Sequence, residues 1–301
     1  MYNSSFKRLK DLLIYLEGAY APNTLRAYKA DMLEFIAFCN KSGDCSMPAE
    51  PRTVSKFLMQ TISLGIKSST IRRKVSSISA IHRLSCLDDP TKHPEVKITQ
   101  RKIFRQLGTR FDQAYPITRT LLEKLLEVCG QDLHGVRNRA LLCVAYDSMR
   151  RRSELTSLQV NDIEWLADGS ASILLRTSKT DQHGTGKCIH VTTATRTALK
   201  EWVTAANISD GLVFRGIRSS GSITEGLCES RVSRIYKTLA RKAGIQETII
   251  QKISGHSMRV GGAHDLLRVG ASLPQIMVKG GWAKTDTVMR YVERVQQPIS
   301  R

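Results

Sequence analysis

The chain has 301 residues, of which 41% are hydrophobic, so it is long enough for two domains with buried cores. Its formal net charge is +19, and basic residues outnumber acidic ones both before and after Phe104. This balance indicates a polyanionic partner that contacts both halves, since a basic tail alone would place the charge at one end. A membrane protein is also disfavoured, because the sequence has no apolar run of spanning length and no signal or lipidation motif.

Cofactor and metal sites are not predicted. The seven cysteines are scattered without a CxxC pair, which is typical of reduced thiols in a cytoplasmic protein. The seven histidines are equally scattered and indicate no metal site. The sequence contains no Walker loop, Rossmann glycine pattern or internal repeat, so we expect no cofactor.

The first part of the chain is predicted to be helical. Apolar residues at helical spacing predict an amphipathic segment up to residue 20. Three helices are predicted after it: one that begins near Pro22, one at 53–64 and one that begins at Ser68. Two of these helices carry basic side chains that are candidate DNA contacts: Arg26, Lys29, Arg72, Arg73 and Arg83. Small hydroxyls between arginines allow a helix to approach a DNA backbone, although a charged face is usually just solvated.

Residues 97–116 are basic, weakly periodic and end at Pro116. We interpret this stretch as a linker over DNA phosphates, with Arg101 and Lys102 among the contacts. Charge alone does not exclude an ordinary flexible tether. The predicted domains are a helical domain at 1–104, a basic linker at 105–116 and a second domain at 117–301.

The second domain is predicted to begin with a helix capped by Thr118 and to continue with a buried helix at 140–146. The buried helix leads to three arginines and an acidic residue: Arg150, Arg151, Arg152 and Glu154. Three successive arginines on a helix face different directions, so at most one or two of them converge on a site.

Two strands are predicted at 173–177 and 187–193, separated by a turn at 181–184. Lys179 lies at the start of this turn, where a lysine ordinarily serves solubility. Helices are predicted at 193–206 and 229–243. Ser230 and Arg231, near the start of the second of these, are candidate readers of DNA bases in the major groove.

The segment 255–293 brings four chemically active residue types together: His256, Arg259, Trp282 and Tyr291. If Ser254 or Gly255 opens a helix, the histidine and the arginine share one face of its first turn, where free N–H groups favour an anion. Arginine can donate twice to one phosphate, imidazole can exchange a proton, and an indole N–H can only donate. A tyrosine beside cations can act as a nucleophile. In-line attack on a phosphodiester requires these types.

Each of these residues also has an ordinary explanation. An HxxR pair is usually a solvated helix face, a lone tryptophan is usually core, and a tyrosine on an amphipathic helix is usually packing. Their combination in this order, with Gly280-Gly281-Trp282 between them, favours the phosphodiester site over the ordinary explanations.

Several longer sequence motifs resemble those of a known protein family. In chain order they are MPAEPRTVSKFL, AYDSMRRRSEL, SGHSMRVGGAHDLLRVGASLPQIMVKGGW and VMRYV. From about Asn23 to Tyr291 the chain resembles the tyrosine recombinases, the phage integrase family. The resemblance implies a mainly α fold with a small β element, in which a helical core-binding domain and a catalytic domain clamp around double-stranded DNA.

The resemblance also implies seven catalytic residues: Arg151, Glu154, Lys179, His256, Arg259, Trp282 and Tyr291. In this family the tyrosine forms a 3′-phosphotyrosyl link without metal or nucleotide, and the lysine protonates the leaving 5′ oxygen. Lys187 lies near enough in sequence to leave the choice of lysine open. Four protomers on two duplexes with an inverted-repeat site, exchanging strands through a Holliday junction, are implied as well, together with a cytoplasmic, nucleoid-associated location.

Two other functions are considered. A type IB topoisomerase-like enzyme would use the same chemistry on single duplexes. A catalytically silent DNA-binding accessory protein would keep the fold, but it would have no need of the nucleophile. The presence of all seven catalytic positions therefore argues against the accessory protein. Sequence-specific junction formation would distinguish the recombinase from the topoisomerase.

Overall fold

The computed structural model describes residues 2–108, 113–176 and 186–293. The chain divides into two compact units, an N-terminal unit at 1–112 and a C-terminal unit at 113–301. Lys179, the predicted turn at 181–184 and the tail after Glu293 lie outside the described residues. The mainly helical fold with one small sheet confirms the predicted class. Over the described part of the chain, no helix combines the length and the apolar character needed to cross a membrane.

The described part of the N-terminal unit contains these helices: α1 (Tyr2–Tyr15), α2 (Pro22–Ser42), α3 (Pro51–Ser63), α4 (Ser68–Leu84) and α5 (Pro94–Leu107). Three of them, α2, α3 and α5, begin with a proline. Proline suits this position because its fixed φ is helical and its missing N–H would have no partner in the helix. A single 3-10 turn, Pro90–Lys92, lies between α4 and α5.

Apolar side chains from α2 to α5 form the core of the N-terminal unit. Phe35, Leu58, Ile78 and Ile103 are representative, one from each helix, and all four are fully buried. His82 is also fully buried. Its Nδ1–H donates to the carbonyl of Ile78 at 2.8 Å and its Nε2 accepts from the N–H of Ala49 at 3.1 Å, which requires the neutral ring. Burial lowers the pKa of this imidazole accordingly.

The interpretation of residues 97–107 as a weakly periodic linker is wrong, because they form the greater part of α5. Val96 and Ile103 are fully buried in the core of the N-terminal unit and lie two helical turns apart. Two apolar anchors among many basic residues are enough to hold a helix whose other faces are solvated. Gly108 follows with φ 70° and ends the helix.

The described part of the C-terminal unit contains α6 (Arg119–Glu127), α7 (Leu133–Ser148), α8 (Arg152–Thr156), β1 (Ile163–Trp165), β2 (Ala171–Leu175), β3 (Lys187–Val191), α9 (Thr193–Ala205), α10 (Glu229–Lys242), α11 (Glu247–Lys252), α12 (Ser257–Arg268), α13 (Leu273–Gly280) and α14 (Thr285–Val292). The strands form an antiparallel sheet in the order β1-β2-β3, with Ile173 opposite both Ile163 and Ile189. The sequence did not predict β1, because three residues are too few to show alternation.

Helix α7 lies in the core of the C-terminal unit and contains the predicted buried helix at 140–146. Trp202 of α9 and Tyr236 of α10 are fully buried in the same core. At the end of α7, Oδ2 of Asp147 accepts from the backbone N–H of Thr192 at 2.8 Å and from the hydroxyl of Thr195 at 2.7 Å. These bonds fix the start of α9 to the end of α7, just before the arginine run.

Candidate active site

The arginine run spans the break between two helices, so the expectation that all three arginines lie on one helix is wrong. Helix α7 is ended by Met149, which has a left-handed φ of 53°. Arg151 is the residue before α8, and Arg152 is the first residue within it. The break turns Arg150 inward to 3% exposure. Arg152 points elsewhere and donates to the hydroxyl of Ser233 at 3.3 Å.

Arg151 is oriented by Glu154, which is 3% exposed. One carboxylate oxygen accepts from the backbone N–H of Arg151 at 3.0 Å, and the other accepts from its Nη1 at 2.7 Å. Burial alone would raise the pKa of Glu154, but the two hydrogen bonds and the charges of Arg151 and Arg150 lower it overall. The carboxylate therefore stays ionised at neutral pH and holds the guanidinium in one direction.

His256 and Arg259 do not share the first turn of a helix as predicted. Helix α12 begins at Ser257, so His256 caps it from outside. The hydroxyl of Ser257 accepts from the N–H of Ser254 at 2.9 Å, and this turn delays the helix start. The His256 side chain is exposed, whereas Arg259 is 1% exposed. The histidine is accessible to a ligand from solvent and the arginine lies beneath the surface.

The guanidinium of Arg259 stacks on an indole ring. Its central carbon is 4.2 Å from the ring centre of Trp282. Its Nη1 donates to the carbonyl of Met149 at 2.5 Å, while its Nη2 is buried and has no hydrogen-bond partner within residues 2–108, 113–176 and 186–293. Burial lowers the pKa of Arg259 to about 9, and the positive charges of Arg151 and Arg150 act in the same direction.

Tyr291 packs against Trp282. The ring centres of Tyr291 and Trp282 are 5.6 Å apart at an angle of 41°. Trp282 belongs to a small apolar cluster with Met149, Ile276 and Val288, against which Tyr291 packs. The structure therefore brings five of the seven predicted catalytic residues into one neighbourhood: Arg151, Glu154, Arg259, Trp282 and Tyr291.

Two residues that the sequence analysis did not select hold the backbone of the tyrosine. The carbonyl of Tyr291 accepts from Nε2 of His264 at 2.6 Å and from the side-chain amide of Gln113 at 3.0 Å. His264 lies on α12 and could have been found as a second polar residue on the helix of Arg259. Gln113 carried no signal, because it is distant in sequence.

The two candidate lysines are Lys179 and Lys187. Lys179 lies outside the described residues. Lys187, the first residue of β3, donates from Nζ to the carbonyl of Val278 at 2.6 Å. Burial lowers the pKa of Lys187, with a further contribution from the charge of Arg150.

The candidate DNA contacts are all exposed: Arg26 and Lys29 on α2, Arg72, Arg73 and Arg83 on α4, Arg101 and Lys102 on α5, and Ser230 and Arg231 on α10. Some of them are also held by their own unit. Arg73 pairs with Asp31 at 3.1 Å, and Arg72 lies 4.9 Å from the ring centre of Phe104. Among the described residues, no cluster of three histidine, cysteine or acidic side chains could hold a metal ion.

Two family models match the chain. One described as "Phage integrase family" matches residues 116–297, and one described as "Phage integrase, N-terminal SAM-like domain" matches residues 9–85. The chain belongs to the phage integrase family. The resemblance seen in the sequence motifs is confirmed, and the chain is a tyrosine site-specific recombinase.

Relatives of this family match most of the chain. It is 26% identical over 293 residues to "Recombinase cre" of Escherichia phage P1, with 92% of this chain and 85% of that protein covered. It is 30% identical over 290 residues to "Integrase/recombinase xerD homolog" of Selenomonas ruminantium, with 93% of this chain and 84% of that protein covered.

Solved structures share the fold. A XerH site-specific recombinase bound to a palindromic difH substrate has a TM-score of 0.65 at 18% identity, covering 89% of this chain and 76% of that one. A lambda integrase dimer bound to a COC′ core site has a TM-score of 0.63 at 13% identity, covering 97% of this chain and 96% of that one.

Proposed function

We propose that the C-terminal unit cleaves DNA through Tyr291. The phenolic oxygen attacks the scissile phosphorus, the bond from phosphorus to the 5′ oxygen breaks, and a 3′-phosphotyrosyl link forms. The phenol loses its proton and the leaving 5′ oxygen takes up one, so no proton is consumed overall. One phosphodiester is exchanged for another, so a 5′-hydroxyl of a second strand can reverse the step without external energy.

The observation that carries this proposal is the unsatisfied donor of Arg259. A buried N–H group without a partner is costly, and a charged one more so, unless a ligand accepts its hydrogen bond. Here Nη2 is buried with no acceptor in the described part of the chain. The same guanidinium lies on the ring of Trp282, which in turn contacts the ring of Tyr291. A phosphate oxygen beside the tyrosine would satisfy it.

The charges around Arg259 also call for an anion. Arg150, Arg151 and Arg259 interact electrostatically with one another and with one carboxylate, that of Glu154. Three cations and one anion leave an excess of positive charge in a mostly buried place. A bound phosphate would offset it, and the same charges would stabilise the additional negative charge of the transition state.

The remaining roles follow from donor chemistry. Arg151, held by Glu154, and the accessible His256 would donate to the non-bridging oxygens, and the indole N–H of Trp282 can only donate. We propose Lys179 as the donor of the proton to the 5′ oxygen. In support of that choice, the ammonium of Lys187 is already engaged by the Val278 carbonyl.

We further propose that the N-terminal unit is a core-binding domain and that double-stranded DNA is the partner of both units. The exposed basic residues on α2, α4 and α5 support this, as does the net charge of +19. The related XerH and lambda integrase structures are bound to a palindromic substrate and to a core site. The proposal also includes an inverted-repeat target site, four protomers on two duplexes, a Holliday junction intermediate and a nucleoid location.

The test is a denaturing gel of purified protein mixed with DNA from its own replicon, in which a covalent adduct migrates more slowly. We expect an adduct with the wild type and with Tyr15→Phe, a change at an 83% exposed tyrosine of α1, and none with Tyr291→Phe, which should still bind duplex. An adduct from Tyr291→Phe would overturn the choice of nucleophile.

The same reaction separates the other functions. Branched four-way products from two duplexes support recombination. Relaxation of supercoils with an adduct but without branched products would show a topoisomerase-like enzyme. Bound DNA that gives no adduct, even with nicked substrates that trap the intermediate, would show a DNA-binding accessory protein.

A further inference from the structure

The C-terminal end of α13 is held by two cations from other elements. Arg150 donates from Nη2 to the carbonyl of Lys279. Lys187 donates from Nζ to the adjacent carbonyl, that of Val278, at 2.6 Å. The last carbonyls of a helix lack partners within the helix and form the negative end of its dipole, so basic side chains stabilise them.

Arg150 is the stronger of the two contacts. It is 3% exposed, and its Nε donates to the carbonyl of Ser148 at 2.8 Å. The guanidinium therefore joins the last turn of α7 to the last turn of α13. Lys187 is exposed, so solvent competes for its hydrogen bond and weakens its contribution.

The backbone that follows α13 lies directly against this guanidinium. Gly281 ends the helix with a left-handed φ of 65°, and a Cβ placed there would lie 2.6 Å from Nη1 of Arg150. The next residue is Trp282, whose N–H bonds to the carbonyl of Met277 at 3.0 Å. The position of the indole relative to Arg259 and Tyr291 thus depends on where Arg150 holds this turn.

Arg150 adds positive charge to the site but is not among the proposed hydrogen-bond donors to the phosphate, and keeping it buried is unfavourable. Burial lowers the pKa of Arg150. The positive charge of Arg151 also lowers it, whereas the negative charge of Glu154 raises it. Within the described part of the chain, both hydrogen bonds of its side chain go to main-chain carbonyls. A buried cation that bonds only to backbone at a helix end acts on the position of that end.

We propose that Arg150 is a positioning residue for strand cleavage, which holds the end of α13 so that Trp282 keeps its contacts with both Arg259 and Tyr291. This inference rests on the proposed function. Arg150 contacts neither DNA nor the reacting atoms in this role. Lys187 assists from the solvent side with a smaller effect.

The first experiment compares cleavage rate with DNA affinity. We expect Arg150→Met to slow adduct formation at saturating nicked DNA by about tenfold to a hundredfold, because small displacements in a catalytic site cost rate on this scale. DNA affinity should change by less than about threefold, since one buried charge contributes little to phosphate contacts. Arg150→Lys, which keeps the charge and one donor, should recover part of the rate. Lys187→Met should slow it by only about threefold.

Lys242→Met is the matched control, because it removes an exposed positive charge from α10 in the same unit. It should keep the wild-type rate at saturating DNA. An equal loss of rate in Lys242→Met and Arg150→Met would show a general effect of charge and overturn the inference.

The second experiment follows Trp282 directly by acrylamide quenching of fluorescence in a Trp165→Phe background. Trp202 is fully buried and Trp282 is 7% exposed, so quenching is low in that background. Arg150→Met should raise the quenched fraction while far-UV circular dichroism stays unchanged. Unchanged quenching with a wild-type rate would overturn the inference, while loss of the adduct in Tyr291→Phe would show that the proposed function still holds.

Discussion

The guanidinium of Arg259 and the indole of Trp282 are stacked, with the central carbon of the arginine 4.2 Å from the ring centre. On the same indole, the ring centre of Tyr291 is 5.6 Å away. Trp282 is thus the shared neighbour of the buried cation and the proposed nucleophile. This places the tryptophan in a structural role that a single indole N–H donor would not require.

Substitution of Trp282 should distinguish packing from hydrogen bonding. Trp282→Phe keeps a ring beneath Arg259 but loses the N–H donor, and we expect a loss of less than about tenfold in adduct formation, close to the value of one neutral hydrogen bond. Trp282→Ala removes the ring and its cation–π contact, and we expect a loss of about a hundredfold together with about 3 kcal/mol of stability. Equal losses in both variants would show that the N–H donor dominates.

The lowered pKa of Arg259 predicts a pH dependence. Its charge is lost as the pH rises through about 9, so adduct formation at subsaturating DNA should fall above that pH. A bound phosphate favours the charged form and raises the pKa, so the rate at saturating DNA should fall only at higher pH. The measurement is the initial rate from pH 7 to 10.5 at both DNA concentrations, with circular dichroism at each pH as the control. Identical profiles at both concentrations would contradict this prediction.

Glu154 should contribute stability that depends on pH with a defined sign. Its pKa is lowered from the ordinary value of 4.5, so its contribution is complete above that pH and is lost as the pH falls through the lower folded value. Glu154→Gln should cost about 2 kcal/mol of unfolding free energy at pH 7, and this difference should shrink below pH 4.5. Urea unfolding at several pH values measures it. Glu164→Gln, at an exposed position of β1, is the control and should change little at any pH.

Two adjacent glycines of α12 should respond differently to alanine. A Cβ on Gly261 would overlap the backbone carbonyl of Ile117, whereas a Cβ on Gly262 would lie 3.0 Å from the flexible side chain of Met149. Gly261→Ala should therefore lose about 2 kcal/mol or more, because backbone must move. Gly262→Ala should stay within about 1 kcal/mol of wild type, because the gain in helix propensity offsets the crowding. Chemical denaturation measures both, and similar values for the two variants would contradict the prediction.

Local patterns predicted much of the fold. The helical stripes of α2 to α4, the buried helix within α7 and the strand β3 all show in the spacing of apolar residues. Helix α5 was not predicted, because its two buried residues, Val96 and Ile103, lie among many basic ones. The sequence also placed His256 inside α12, and the hydroxyl of Ser257 delays the start of that helix.

By itself, the sequence determined the family and the chemical types at the site, because these depend on residue identity and order. The tertiary structure alone decided which of the three arginines turn inward, since a break at Met149 sets their directions. It also decided that Arg259 keeps an unsatisfied donor and that Arg150 reaches the end of α13. These properties depend on burial and on contacts between residues more than a hundred positions apart, which no local pattern of a single sequence records.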